Sequence, residues 1–476
     1  MIIFCPSAGQ AGNLQLVVCL KFMSELKSIS PLDGRYQNDV KDLSPIFSES
    51  ALMKYRLIIE IEYLLALSHE PKIKEVREFN DEDRVNLRMI YEKFSEEEAL
   101  KVKKIEKTTN HDVKSVEYYL KDKLKKINGL KDYLEFVHFA LTSEDVNNLA
   151  YSLMLKDGVA VYLRSLRTLL KELKSLSWAN KNVALLSLTH GQPASPTTVG
   201  KELAVFYYRL FRQLDVLSQI KLQGKFSGAV GNWSAQAAAY GRVDWPAFSQ
   251  TFIESFGLEF NPLTTQIESH DGLAQVYHAL IRINNIIRDL NQDVWLYISR
   301  GVLKQHKVKG EVGSSTMPHK INPWKFENSD GNLGLANALL SQLANQLPVS
   351  KLQRDLSDST ALRNQGAALA YALLALKSTL DGLARLEVDR QAAQAELDNH
   401  WEILAEPIQV VLRRLGYDQP YEKLKQLTRG VRITRAALQQ LVRGLKIPKP
   451  KKDQLLKLTP EKYIGLAAKL VEKYLK

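Results

Sequence analysis

Along most of the chain apolar residues return every three or four positions, and sustained one-in-two alternation is scarce, which predicts a predominantly helical protein. The clearest stripe runs from Asp271 to about Val302 through Leu273, Val276, Leu280, Ile283, Ile287, Leu290, Val294 and Tyr297, with Gly272 and Gly301 near its ends. At 1.5 Å of rise per residue, thirty helical residues make a rod of about 45 Å. Comparable patterns cover Ser143 to about Trp178, Thr198 to about Leu222, and Ala361 to about Leu386. Rods of that length must bury their stripes on one another, and the simplest arrangement is an all-α, elongated antiparallel bundle.

Polar, Gly- and Pro-rich segments punctuate the rods and read as loops: "THGQPASPTT" at 189–198, "FSGAVGNW" at 226–233, "FNPLTTQ" at 260–266 and "GEVGSSTMPHKINP" at 310–323. Before Phe136 and after Leu386 the pattern shortens into small helices with loops such as "SPLDGRYQ", "TTNHDV" and "LGYDQPYE". The expected organisation is a leader at 1–22, an N-terminal helical domain at 23–130, a long-helix core at 131–385 and a C-terminal helical domain at 386–476. A chain of 476 residues exceeds what one core usually fills, in keeping with several domains.

Composition narrows the function classes. No apolar run is long enough to cross a bilayer, and both cysteines, Cys5 and Cys19, lie in the first twenty residues, so the body of the chain holds neither disulfides nor thiolate metal sites. The opening segment lacks a basic n-region and is broken by Pro6, Gly9, Gly12 and Asn13. It reads as an upstream or misassigned start, with the working, cytoplasmic protein beginning near Met23. A net charge of +12 admits a polyanionic partner. Much of that excess sits in runs such as "KVKKIEK" and "KDKLKKINGLKD", which read as solvated helix faces, and no nucleic-acid-binding signature accompanies them. Phosphate-loop, dinucleotide, zinc-protease and serine-esterase motifs do not occur.

What remains are polar clusters at rod ends. "TTNHDV" supplies Thr109, Asn110, His111 and Asp112, and "HFALTSEDVNN" supplies His138, Thr142, Ser143, Asp145 and Asn148. The second doubles as a plain helix N-terminus, with Thr142 or Ser143 as N-cap and acids in the first turn, although free N–H groups there also suit an anion. His190 stands in "THGQP", ahead of a proline-marked loop. In the 310–323 segment, Gly310 and Gly313 give freedom to Ser314 and Ser315, while Pro318 and Pro323 prevent helix and Lys320 brings a cation. A mobile hydroxyl-rich loop beside a lysine suits closure over an anionic ligand.

"GSSTMPHKINP" at 313–323 resembles the signature loop of the fumarase and aspartase superfamily, whose shared pattern is G-S-S-x-x-P-x-K-x-N. "SPLDGRY", "KTTNHDVKSVEYYL", "HFALTSEDVNN", "THGQPASPTT", "NPLTTQIESHD" and "RDLSDSTALRN" closely resemble the bacterial branch of the adenylosuccinate lyase family, over roughly Ser28 to the C-terminus. That resemblance implies a homotetramer whose core helices form a shared bundle, with each site assembled from three subunits. It implies β-elimination of fumarate from adenylosuccinate and from the equivalent succinyl-carboxamide ribotide, with no metal or organic cofactor.

By the same resemblance His190 is the general acid and Ser314 the general base, with neighbouring Ser315 open as the alternative. Glu327 pairs with the catalytic imidazole, Lys320 activates the serine, and His111 is a second imidazole at the substrate. Thr142, Ser143, Gln266, Lys320 and Asn322 would hold the succinyl carboxylates. Arg35, Tyr36, Arg354, Ser359 and Arg363 would hold the phosphate, with Thr109, Asn110, Asp112 and Met317 completing the pocket. The chemistry agrees, because removing a proton beside a carboxylate builds an aci-carboxylate dianion that needs cations and N–H donors, and the departing nitrogen needs an acid. Another superfamily member such as an argininosuccinate lyase, and a non-catalytic relative, are the alternatives.

Overall fold

The computed structural model describes residues 26–308, 310, 316–430 and 433–475, which are mostly helical and form two compact units. The first takes the described chain up to Ser165 together with Val216–Asn284 and Asn332–Ala375; the second takes Leu166–Asp215, Asn285–Gly331 and the described residues from Leu376 onward.

In the first unit, helix α1 (Glu49–His69) starts where the Ser48 hydroxyl accepts from the Ala51 N–H and buries Leu57, Ile61, Leu64 and Leu67. Tyr63 is also buried, with its ring 5.0 Å from Phe226 and 5.9 Å from Phe252, and its hydroxyl donates to the Phe139 carbonyl at 3.0 Å. Each such buried side chain contributes about 1.5–3 kcal/mol, so this aromatic knot anchors α1 on the 226–256 segment. Helix α2 (Asp112–Leu124) and helix α3 (Ser143–Ala179) follow. On α3, Gly158 lets the Phe47 ring approach so closely that a Cβ there would lie 2.4 Å from it.

The second unit contains an antiparallel hairpin of β1 (Ala184–Thr189) and β2 (Gln192–Thr198), running into helix α4 (Val199–Gln219). The 189–198 segment was expected to be a loop because Pro193 and Pro196 interrupt it. The sheet has two strands only, so β2 has no second neighbour that would require the missing proline N–H groups. Leu186 of β1 packs into a cluster with Leu397, Leu404, Ile408, Leu412, Leu438 and Val442 from the C-terminal helices.

The predicted rods are present as α3, α4 and α5 (Asp271–Ser299), each ending within about three residues of its expected limit. The 361–386 rod is a correction: Ser357–Leu362 is a separate short helix, and α7 (Gln365–Leu383) begins after it, with α6 (Trp324–Gln346) preceding both. In the second unit the lower parts of these rods are tied by buried hydroxyl and amide groups. Asn291 Nδ2 donates to Ser329 Oγ at 2.9 Å, Ser329 Oγ meets Thr379 Oγ1 at 2.8 Å, and Thr379 Oγ1 donates to Asn291 Oδ1 at 3.0 Å. This closed ring fixes the register of three helices where an apolar contact alone would allow sliding.

Candidate active site

The first unit collects most of the expected binding residues at helix ends. Asn110 closes the helix Glu96–Thr109 in left-handed backbone (φ 50°), and His111 caps α2, its Nδ1 accepting from the Lys114 N–H at 3.2 Å. That bond assigns the neutral ring's proton to Nε2, which an exposed side chain presents outward. Thr109 Oγ1 lies 2.8 Å from Ser115 Oγ, which donates to the His111 carbonyl at 2.6 Å, so the turn is braced from both sides.

Asp112, the first residue of α2, takes two guanidinium groups on one oxygen: Arg56 Nη2 at 2.7 Å and Arg363 Nη2 at 2.8 Å. Burial would push its carboxyl up, but the Arg56 charge and hydrogen bond, the Val113 N–H and Arg363 bring it down to about 2. Two cations on one anion leave a surplus positive charge at this end of α2, and Arg363 stays 44% exposed, available to an incoming anion. Arg56 itself is buried in α1 and also donates through Nε to Asn147 Oδ1 at 2.9 Å.

Thr142 and Ser143 open α3. The Thr142 carbonyl accepts from the Asp145 N–H at 2.9 Å and its N–H donates to Asp145 Oδ2 at 2.9 Å, so this cluster is a capped helix N-terminus. Asp145 is fully buried; its Oδ1 accepts from Lys225 Nζ at 2.6 Å and from the Ser227 and Gly228 N–H groups. The next residue, Glu144, pairs through Oε2 with Arg354 Nη1 at 2.6 Å. Gln266 donates from Nε2 to the Ala229 carbonyl and from its backbone to the carbonyl of Gln353, beside Arg354. Ser359 donates its N–H to Asp358 Oδ1 at 2.5 Å, and Arg35 lies over the Tyr36 ring at 5.7 Å.

In the second unit His190 occupies the hairpin corner. Thr189 pairs with Gln192, leaving His190 (φ 54°) and Gly191 (φ 72°) as a two-residue turn with both residues left-handed. That geometry follows the right-handed twist of the strands but strains any residue with a Cβ, and strain of this kind gathers at functional positions. The His190 side chain is exposed. Glu327, in the first turn of α6, is held by Trp295 of α5, whose Nε1 donates to Oε1 at 3.1 Å. In the signature segment Met317 and Lys320 are exposed, Asn322 is half-buried, and the Lys320 N–H donates to the Met317 carbonyl. Ser314 and Ser315 lie outside the described residues.

Reading the sequence overlooked Arg56, Glu60, Glu144, His270 and Asp358, all buried polar residues of the first unit. One signal was present: in "ALMKYRLIIEIEYLL" the charges Arg56 and Glu60 interrupt an apolar helix four residues apart, a spacing that places both on one face. Glu60 Oε1 is 2.5 Å from His138 Nδ1, and although burial alone would lower the imidazole, the Glu60 charge and hydrogen bond raise it above its ordinary value.

The chain is similar to known proteins along most of its length. Residues 34–338 match the family model described as "Lyase", and residues 350–464 match "Adenylosuccinate lyase C-terminal". The chain is 50% identical over 453 residues to an adenylosuccinate lyase of Vibrio cholerae, covering 95% of this chain and 99% of that one. It is 50% identical over 451 residues to the adenylosuccinate lyase of Escherichia coli K12, covering 94% and 99%. Among solved structures, the 3-carboxy-cis,cis-muconate lactonizing enzyme of Pseudomonas putida shares the fold with a TM-score of 0.72 at 22% identity, over 91% of this chain and 96% of that one. A fumarate lyase of Mesorhizobium does so with 0.73 at 17%, over 91% and 97%. The chain belongs to the adenylosuccinate lyase family, within the fumarase and aspartase superfamily.

Proposed function

We propose that the protein releases fumarate by β-elimination from adenylosuccinate, leaving AMP, and from succinyl-aminoimidazole carboxamide ribotide, leaving its carboxamide, in purine nucleotide synthesis. Ser314 takes the proton from the succinyl carbon beside a carboxylate, and the resulting aci-carboxylate is stabilised by Lys320, Asn322, Thr142, Ser143 and Gln266. The carbon–nitrogen bond then breaks as His190 delivers a proton to the departing nitrogen. Glu327 orients the His190 imidazole, His111 positions the substrate, and Arg35, Tyr36, Arg354, Ser359 and Arg363 receive the phosphate. Every proton and charge in this sequence is handled by a side chain of the protein, so the steps require no cofactor.

The observation that carries the reading is the placement of His190: an exposed imidazole at a strained turn corner. Support comes from the surplus positive charge around Asp112, which suits a phosphate that fumarase or aspartase substrates lack. The working form is a cytoplasmic homotetramer with sites built from several chains. Exposed Tyr208 and Phe211 on α4 and Trp295 and Leu296 on α5 give apolar area for such an assembly. The test is fumarate release from the purified protein supplied separately with adenylosuccinate and argininosuccinate; turnover of the second alone would move the protein to a different branch, and turnover of neither to a non-catalytic role.

A further inference from the structure

A buried cluster in the first unit has no part in the reaction above. Glu144 near the start of α3, His270 immediately before α5 and Asp358 in the Ser357–Leu362 helix are 3%, 1% and 5% exposed. Their side-chain nitrogen and oxygen atoms come within 4.8 Å of one another. Arg354 clamps the two carboxylates from one side, with Nη1 2.6 Å from Glu144 Oε2 and Nη2 3.5 Å from Asp358 Oδ1. The atoms on the other side, Glu144 Oε1, Asp358 Oδ2 and His270 Nε2, are buried and have no hydrogen-bond partner among the described residues.

His270 is also held under strain. Its backbone is left-handed (φ 62°), and its N–H donates to Glu268 Oε2 at 2.7 Å while Asn261 Nδ2 donates to Glu268 Oε1 at 2.9 Å. Both ring nitrogens face carboxylates, Nδ1 toward Glu268 Oε2 and Nε2 toward Asp358 Oδ2, each at 3.9 Å. Two buried carboxylates, Glu144 and Asp358, share one guanidinium, Arg354, which also meets the charge of Asp355. Leaving a buried carboxylate uncompensated is costly, and the Arg354 guanidinium offsets that cost. Burial also pushes the Glu144 carboxyl up, against the opposing charges of Arg354 and His270.

We propose that Glu144, Asp358 and His270 are positioning residues that fix the Arg354 guanidinium for the anionic end of the substrate. The inference rests on the reading above that Arg354 meets the substrate's phosphate. A guanidinium held on two carboxylates by one edge keeps its remaining N–H donors aimed in one direction, whereas a free arginine loses that pre-organisation to rotamer freedom. The cluster acts on binding and leaves the proton transfers to other groups.

The test is steady-state kinetics of the full-length enzyme with adenylosuccinate, comparing wild type with Glu144→Gln, His270→Asn, Asp358→Asn and Arg354→Met, and with each of the first three combined with Arg354→Met. Asn tolerates left-handed backbone, so His270→Asn removes the imidazole without forcing the turn. The expected result is a KM raised about tenfold or more in each single variant, the size of one lost charged hydrogen bond, with kcat changed by less than about threefold. The added penalty should shrink to near nothing in the Arg354→Met background, and Glu144→Asp should recover part of the loss. Should a variant melt early, kinetics on the folded fraction of the other two carry the comparison. If Arg354→Met raises KM while the cluster variants, once folded, leave it unchanged or add their full penalty to it, the positioning role is wrong. If Arg354→Met itself leaves KM unchanged, the phosphate assignment fails and takes this inference with it. About one metal ion per chain by elemental analysis, with the KM shift reproduced by chelation, would overturn the positioning role in favour of a cation site.

Discussion

Lys225 Nζ lies 2.6 Å from Asp145 Oδ1, and neither side chain has any solvent exposure. The pair joins the first turn of α3 to the 223–228 segment, because Asp145 also receives the Thr142, Ser227 and Gly228 N–H groups, and Lys225 also donates to the Gly228 carbonyl. It is therefore the mechanical support of Thr142 and Ser143, the residues expected to hold a substrate carboxylate. Removing one partner leaves a buried charge alone, a loss of about 3–5 kcal/mol. Asp145→Asn and Lys225→Met should each lower the unfolding free energy from urea titration by that amount, and the double variant by far less than the sum.

Gly158 predicts an effect opposite to helix propensity. Alanine favours a helix interior by about 1 kcal/mol over glycine. Here, however, the new Cβ would stand 2.4 Å from Phe47 Cε2 and 2.8 Å from Leu369 Cδ2. The ring would have to leave its place, so Gly158→Ala should destabilise by about 1–3 kcal/mol in denaturant titration. A stabilised variant would show that Phe47 is loosely held.

The carboxyl of Asp112 makes stability fall in acid. Its ordinary value is 3.8 and the folded one about 2, so the stabilisation is present above 3.8 and is lost as pH falls from there toward about 2. The full shift corresponds to about 2 kcal/mol. Asp112→Asn should flatten the stability profile across that window. His138 has the opposite sign: its imidazole is raised, so its contribution is complete below about 6.5 and disappears as pH rises through the folded value. His138→Gln should remove that alkaline-side loss.

How much of this the sequence disclosed differs by kind of feature. The rods α3, α4 and α5 were legible because a long apolar stripe has one dominant solution. The break before Gln365 was not, since no glycine or proline marks residues 363 and 364 and the turn is set by tertiary context. The hairpin carrying His190 was hidden by its prolines, whose effect depends on how many strands the sheet has. Motif residues in "TTNHDV" stood out by local chemistry, and those in "RDLSDST" only by resemblance to the family. Glu144, His270 and Asp358 belong to segments remote from one another in the chain, and only burial reveals that they meet.

Shared sites make a prediction about mixtures. If His190 and Ser314 of one site come from different chains, inactive His190→Ala and Ser314→Ala proteins should regain partial activity after subunit exchange, because some sites then receive two intact segments. Absence of rescue, with exchange demonstrated by mass-tagged subunits, would place both residues in the same chain's site.

The central claim is that His190 and Ser314 transfer the two protons of the elimination. It is tested most directly by the ultraviolet change on adding adenylosuccinate to the purified wild-type enzyme, His190→Ala and Ser314→Ala. The account predicts turnover by wild type and a fall in kcat of about a hundredfold or more in each folded variant. Turnover in either variant equal to wild type would contradict it.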